Sequence, residues 1–291
     1  MPTSTTISKP QAWAMAARLR TLPIPTIQII TSMTLAAKFS LHMSWTIALG
    51  AWLVACLITV GMNLINDVID FEKGGDPLNR PGQLKMIPAG ILTKSSVLAV
   101  GILCFTIACT VPLLLPVGWP ICLLTLFCVL CGYYYTGGPF PISYLGLSEL
   151  FIFIFYGWVC LIVPFYVQTG FVNAEIMLAA SQMGLLAILP NALNNFRDID
   201  TDAAVGKKTL AVRFGKTFAK WEITLLTFLP FAMNVCWSLF HFTVALYLPF
   251  IVLPIAILFI RGIWTSKTVD HYFKHSVLIL FLFGLALSLS F

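Results

Sequence analysis

Two stretches of this chain place polar side chains at helical spacing. One carries Asn63, Asn66, Asp67 and Asp70 and runs on to Asp76; the other carries Asn191, Asn194, Asn195 and Asp198 and runs on through Asp200 to Asp202. Each set falls at i, i+3, i+4 and i+7, which is one face of an α-helix. Seven of the 11 acidic residues lie in these two clusters: Asp67, Asp70, Glu72, Asp76, Asp198, Asp200 and Asp202. Carboxylates this dense repel one another unless cations neutralise them. Hard oxygen ligands favour Mg²⁺, which takes a few carboxylates together with substrate phosphates. Two acidic helix faces meeting across a cavity therefore fit a diphosphate held by bridging metal ions. Lys73, Arg197, Lys207 and Lys208 stand close enough in sequence to offset the remaining phosphate charge. The competing reading is a hydrated charged loop, and it applies most to Glu72 and Asp200, whose phase departs from the main face.

The elements that must position these groups are membrane spans. With 59% hydrophobic and only 10% charged residues, and a mean hydropathy of +0.94, the chain is unlike a soluble domain. Nine apolar runs approach the roughly 20 residues needed to cross about 30 Å of hydrocarbon: 21–39, 46–66, 96–115, 117–135, 146–167, 174–196, 219–240, 243–263 and 273–290. Lipid offers no hydrogen-bond partners, so such runs are expected as helices, and none shows the alternation of a barrel strand. The expected fold is an all-α, nine-helix membrane bundle around a central cavity. It forms a single domain over 1–291, with acidic loops at about 63–95 and 191–218. Residues 1–17 lack a continuous apolar core and a small-residue cleavage site, so no removable signal peptide is expected.

Charge sets the orientation. With nine spans, every Lys and Arg except Lys38 falls on one side, which the positive-inside rule makes cytoplasmic together with the N-terminus and both acidic motifs. The net charge of +6 is this topological bias. No basic patch with interleaved aromatics supports nucleic-acid binding. The eight cysteines all lie in or beside apolar spans and are expected as small buried side chains, including the Cys128–Cys131 C-x-x-C. His271 and His275 begin a span beside Lys274, an interfacial setting. The 128-residue offset between Asn63 and Asn191 gives the bundle an internal pseudo-repeat. Transporters show similar symmetry.

The two motifs resemble those of the UbiA-type intramembrane prenyltransferases. Asn66, Asp70 and a displaced Asp76 match that family's first aspartate-rich motif, and Asp198 with Asp202 match its second. The likeness covers nearly the whole chain, since nine spans with motifs after the second and sixth is the family's plan. It is closer still to the 1,4-dihydroxy-2-naphthoate polyprenyltransferase branch, which makes demethylmenaquinone. The stretches carrying this are Arg18-Leu-Arg-Thr-Leu-Pro23, Asn66 to Asp76, Asn194-Asn-Phe-Arg-Asp-Ile-Asp-Thr-Asp202 and Gly206-Lys-Lys-Thr-Leu-Ala-Val-Arg-Phe-Gly215. Two departures stand out. Asn191 occupies a position where the 4-hydroxybenzoate branch commonly has Asp, and Asp76 lies six residues past Asp70, with Gly74 at the usual acidic position.

The resemblance implies Mg²⁺ held by Asp70, Asp76, Asp198 and Asp202, binding the diphosphate of a polyprenyl donor and stabilising its departure. Asp70, Asp198 and Lys207 are the expected catalytic residues. Asn66, Lys73, Lys85, Arg20, Asn195, Arg197 and Tyr135 are the expected substrate contacts. Lys85 opens Lys85-Met-Ile-Pro-Ala-Gly90, similar to the family's basic-x-x-Pro-x-Gly segment, and it and Arg20 are expected on the acceptor carboxylate or the diphosphate. The allylic cation needs a dry, aromatic cavity, for which Tyr133, Tyr134, Tyr135, Tyr156 and Trp158 are candidates. The acceptor implied is 1,4-dihydroxy-2-naphthoate, with loss of its carboxylate on prenylation. Homogentisate and 4-hydroxybenzoate are the alternative acceptors. A secondary transporter is the alternative class, disfavoured because the acids sit at span ends and transport sites sit near the midplane.

Overall fold

The structure, a computed structural model, describes residues 7–74, 82–266, 268–269 and 271–291. Ten helices carry the architecture: α1 (Lys9–Ala16), α2 (Pro23–Ala36), α3 (Trp45–Glu72), α4 (Lys94–Leu114), α5 (Trp119–Tyr134), α6 (Ser148–Thr169), α7 (Ala174–Arg197), α8 (Leu210–Phe240), α9 (Thr243–Thr265) and α10 (Tyr272–Ser290). No strand occurs among the described residues. Seven of these helices, α3, α4 and α6–α10, are long and apolar enough to cross a membrane. Leu103, Leu126 and Leu258 point outward from their helices, the apolar exterior that a lipid environment requires.

The expected count of nine spans is met only in part. The runs at 21–39 and 117–135 fold as helices of 14 and 16 residues, which reach about 21 and 24 Å at 1.5 Å per residue. Proline sets both N-termini: Pro23 and Pro120 occupy first-turn positions, where no backbone donor is lost. The run at 46–66 goes the other way. Its helix continues unbroken to Glu72 and so places Asn66, Asp67 and Asp70 on the same rigid element as the span. The side chain of Ser44 caps its start, accepting from the Ile47 N–H at 3.4 Å. α8 breaks at Gly215, whose φ of +82° and ψ of 178° are non-helical, so its apolar span begins near the expected residue 219.

Packing divides the bundle. The larger core joins α2 and α6–α10, built on residues such as Leu161, Phe165, Met183, Phe259 and Phe283. A second body joins α1, α3, α4 and the 86–92 segment through Leu64, Val68, Met86 and Val97, and α5 joins it through Val129. α7 is the most enclosed span, with 72% of its apolar window buried, so what it carries on its last turns is held from all sides. It packs on α6 at a glycine contact: a Cβ on Gly157 would lie 2.7 Å from Gly184 Cα. Part of α6 there, Phe153–Val159, is π-helical, an expansion found mostly at functional sites.

Candidate active site

Both acidic motifs line one cavity, of about 200 Å³, between the two packed bodies. From α3 it receives Asn63, Asn66, Asp67 and Asp70; from α7 and the short helix Ile199–Ala204 it receives Asn191, Asn194, Asn195, Asp198 and Asp202. Asn66, Asp67, Asp70, Asp198 and Asp202 are all at most 7% exposed, so these acids are not a solvated loop. Glu72 and Asp200, by contrast, sit on the surface in ion pairs with Lys94 and Lys216. That separation follows the helical phase.

Each buried carboxylate of the site faces a cation. Asp67 accepts from Arg18 at 2.7 Å and from Lys85 at 2.5 Å. Asp198 takes a two-point contact from Arg197, Nε at 2.6 Å and Nη2 at 2.7 Å, the planar fork that matches a carboxylate. Lys207 stands between the motifs, its Nζ 3.8 Å from Asp70 and 3.5 Å from Asp202, and 5.2 Å above the Tyr144 ring. Arg20 lies over the Phe273 ring at 4.4 Å. Burial, and then the neighbouring Arg18 and Arg197, hold its guanidinium below the usual arginine range. Three arginines crowded at one wall are the signature of a site for a polyanion.

Of the expected site residues, Asn66, Asp70, Lys85, Arg20, Tyr135, Asn195, Arg197, Asp198, Asp202 and Lys207 all line this cavity. Lys73 does not: it is exposed, donates to the Thr136 carbonyl at 2.9 Å and lies over Tyr144. Asp76 falls outside the described residues. Arg18 and Asp67 line the cavity without having been singled out for it, although Asp67 lies on the helical face that marks the motif. Two buried oxygens of this site, Asn66 Oδ1 and Asp70 Oδ1, have no hydrogen-bond partner among the described residues. Unsatisfied buried acceptors are costly, and an oxygen-only donor set of this kind fits a hard divalent cation. Among the described residues no three His, Cys, Asp or Glu side chains converge on one point.

A second cavity, of about 140 Å³, adjoins the first and is almost wholly apolar. Thr59, Met62, Phe151 and Tyr156 line both, with Thr59 and Tyr156 hydrogen-bonded at 2.8 Å across the junction. It runs along α3 from Met62 back to Ile47, about 22 Å of helix. Tyr156 thus stands between the chambers, whereas Tyr133 and Tyr134 are exposed and Trp158 donates to Ser181. Cys128 lines the apolar chamber as a free thiol.

The molecule is thus a bundle of apolar helices in which two polar motifs face one cavity beside an apolar chamber. The chain matches the UbiA prenyltransferase family over residues 27–287 and belongs to it; it is a multi-pass membrane protein. It is 31% identical over 230 residues to the 1,4-dihydroxy-2-naphthoate octaprenyltransferase of Escherichia coli strain K12, covering 74% of this chain and 72% of that one. The fold is shared with the apo structure of a UbiA homolog from Aeropyrum pernix K1, with a TM-score of 0.68, 14% identity and coverage of 91% and 96% of the two chains. It is shared too with a UbiA homolog from Archaeoglobus fulgidus bound to GPP and Mg²⁺, with a TM-score of 0.62, 14% identity and coverage of 95% and 99%.

Proposed function

We propose that this protein transfers a polyprenyl chain from polyprenyl diphosphate to 1,4-dihydroxy-2-naphthoate, releasing diphosphate and CO₂ and forming demethylmenaquinone in its reduced form. The observation that carries the reading is the pair of adjoining chambers, one lined by cations and oxygens, the other apolar. A polyprenyl diphosphate has those two halves in that order. The naphthoate acceptor rests on the name of the Escherichia coli relative together with the motif stretches quoted above.

Asp70, Asp198 and Asp202, with Asp76, are assigned to hold Mg²⁺, consistent with the metal-bound Archaeoglobus homolog. When bound, the metal would neutralise diphosphate charge as the leaving group departs. Lys207 and Arg197 add positive charge around the same anion, and Arg20 and Lys85 are assigned to the diphosphate or the acceptor carboxylate. Asn66 orients the first motif, and Asn195 and Tyr135 face the acceptor. In the reaction the C1–O bond of the donor breaks, a ring carbon of the acceptor bonds to C1, and the carboxylate leaves as CO₂. The apolar walls around Tyr156 and Phe151 keep water from the allylic centre, and the Tyr156 ring can stabilise its charge. The active-site loops and the N-terminus are assigned to the cytoplasm on the positive-inside rule.

The test is product formation by purified protein in detergent with polyprenyl diphosphate, Mg²⁺ and competing acceptors, with EDTA as control. Mass spectrometry is expected to show a decarboxylated, prenylated naphthoquinone only when Mg²⁺ is present. Prenylation of homogentisate or 4-hydroxybenzoate instead would overturn the acceptor assignment.

A further inference from the structure

Glu149 belongs to neither motif, yet it is built into the second one. It lies at the start of α6, is only 9% exposed, and accepts from Asn195 Nδ2 at 2.7 Å and from Asn191 Nδ2 at 3.5 Å, both on Oε1. Asn191 in turn accepts from the Tyr135 hydroxyl at 3.2 Å through Oδ1. Asn191, Asn195 and Tyr135 line the polar cavity, while Glu149 stands behind them.

This chain of contacts fixes which atoms the cavity meets. Glu149 holds one Nδ2 hydrogen of Asn195, which turns the amide's carbonyl oxygen away from Glu149 and leaves its second N–H. With its proton committed to Asn191, Tyr135 presents oxygen lone pairs. The wall is therefore rich in neutral acceptor oxygens, and its Tyr135 ring stands 5.3 Å from that of Phe151, which lines both chambers. A diphosphate has only acceptor oxygens and is matched by the arginine and lysine wall, not by this one. A neutral donor is matched by it.

We infer that Glu149 is a positioning residue, orienting Asn191 and Asn195 so that Asn195 and Tyr135 form a subsite for a ring hydroxyl of the aromatic acceptor. The inference rests on the proposed prenyl transfer to a hydroxylated aromatic and adds the group that recognises the hydroxyl.

Glu149→Leu and Glu149→Gln, purified in detergent, are compared with the wild type for acceptor KM, donor KM and Mg²⁺ requirement. Loss of one neutral hydrogen bond corresponds to roughly tenfold. Glu149→Leu is expected to raise the KM for 1,4-dihydroxy-2-naphthoate by about that factor, with donor KM and Mg²⁺ requirement unchanged. Glu149→Gln keeps the accepting oxygen and is expected to stay near the wild-type acceptor KM. The wild type is also expected to bind the dihydroxy acceptor better than its dimethoxy analogue as a competitor, and Glu149→Leu to lose that preference. If Glu149→Leu does not fold, Asn195→Leu, which removes the same amide from the cavity side, carries the same expectations. An unchanged acceptor KM in Glu149→Leu, beside a wild type that transfers normally, would overturn this inference alone. So would a raised Mg²⁺ requirement in its place. No transfer by the wild type to any aromatic acceptor would overturn the proposed function with it.

Discussion

Asp67 and Asp70 share one helix face, one turn apart, but their partners give them different work. Asp67 takes Arg18 and Lys85 on one oxygen, whereas Asp70 has an oxygen with no hydrogen bond among the described residues and stands 3.8 Å from Lys207. Asp70→Ala and Asp198→Ala are accordingly expected to lower turnover by at least about 100-fold while the protein stays folded in detergent, measured by product formation and thermal unfolding on one preparation. Asp67→Ala leaves two cations without their shared carboxylate, so its first effect is on stability. A loss of about 2 kcal/mol is expected, less than for a fully buried pair because both cations are partly exposed. It should register as a lowered unfolding temperature; an unaltered one would mean that Asp67 clamps nothing.

At the scale of elements, the site depends on how closely α6 and α7 approach. Gly157 and Gly184 meet with no room for a side chain, and α7 delivers Asn191, Asn195 and Asp198 from just past that crossing. Gly157→Val would force the helices apart or shift backbone, at about 1–3 kcal/mol. The expected result is a lower unfolding temperature together with a fall in turnover, because the second motif moves with α7. Retention of both would show that the crossing tolerates a side chain.

For the whole molecule, the asymmetry of charge is the testable property. Lys38 lies in the turn after α2, whereas Lys85 and Lys94 flank the 86–92 segment after α3. Reporter fusions ending after residue 40 are expected to be active only outside the membrane, and those ending after residue 92 only inside. The opposite pattern would invert the assigned orientation and place the diphosphate site away from the cytoplasm.

Much of this was legible without coordinates because it is local. Hydropathy over about 20 residues marks spans, and a spacing of three and four marks a helix face, so the membrane class and the faces bearing Asp70 and Asp198 follow from counting along the chain. Helical phase even separated Glu72 and Asp200 from the buried acids. The lengths of α2 and α5 were less legible, since hydropathy does not register where a helix starts or stops. Pairing across the chain was not legible at all. That Lys207 joins the two motifs, that Lys73 turns to Thr136, and that Glu149 stands behind Asn195 are contacts across tens of residues or more. Such contacts depend on how rigid helices pack, through events such as the Gly157–Gly184 crossing, and no periodicity in the sequence encodes them. The chain alone thus settled what kind of element each residue sits on, while packing decided which charge meets which.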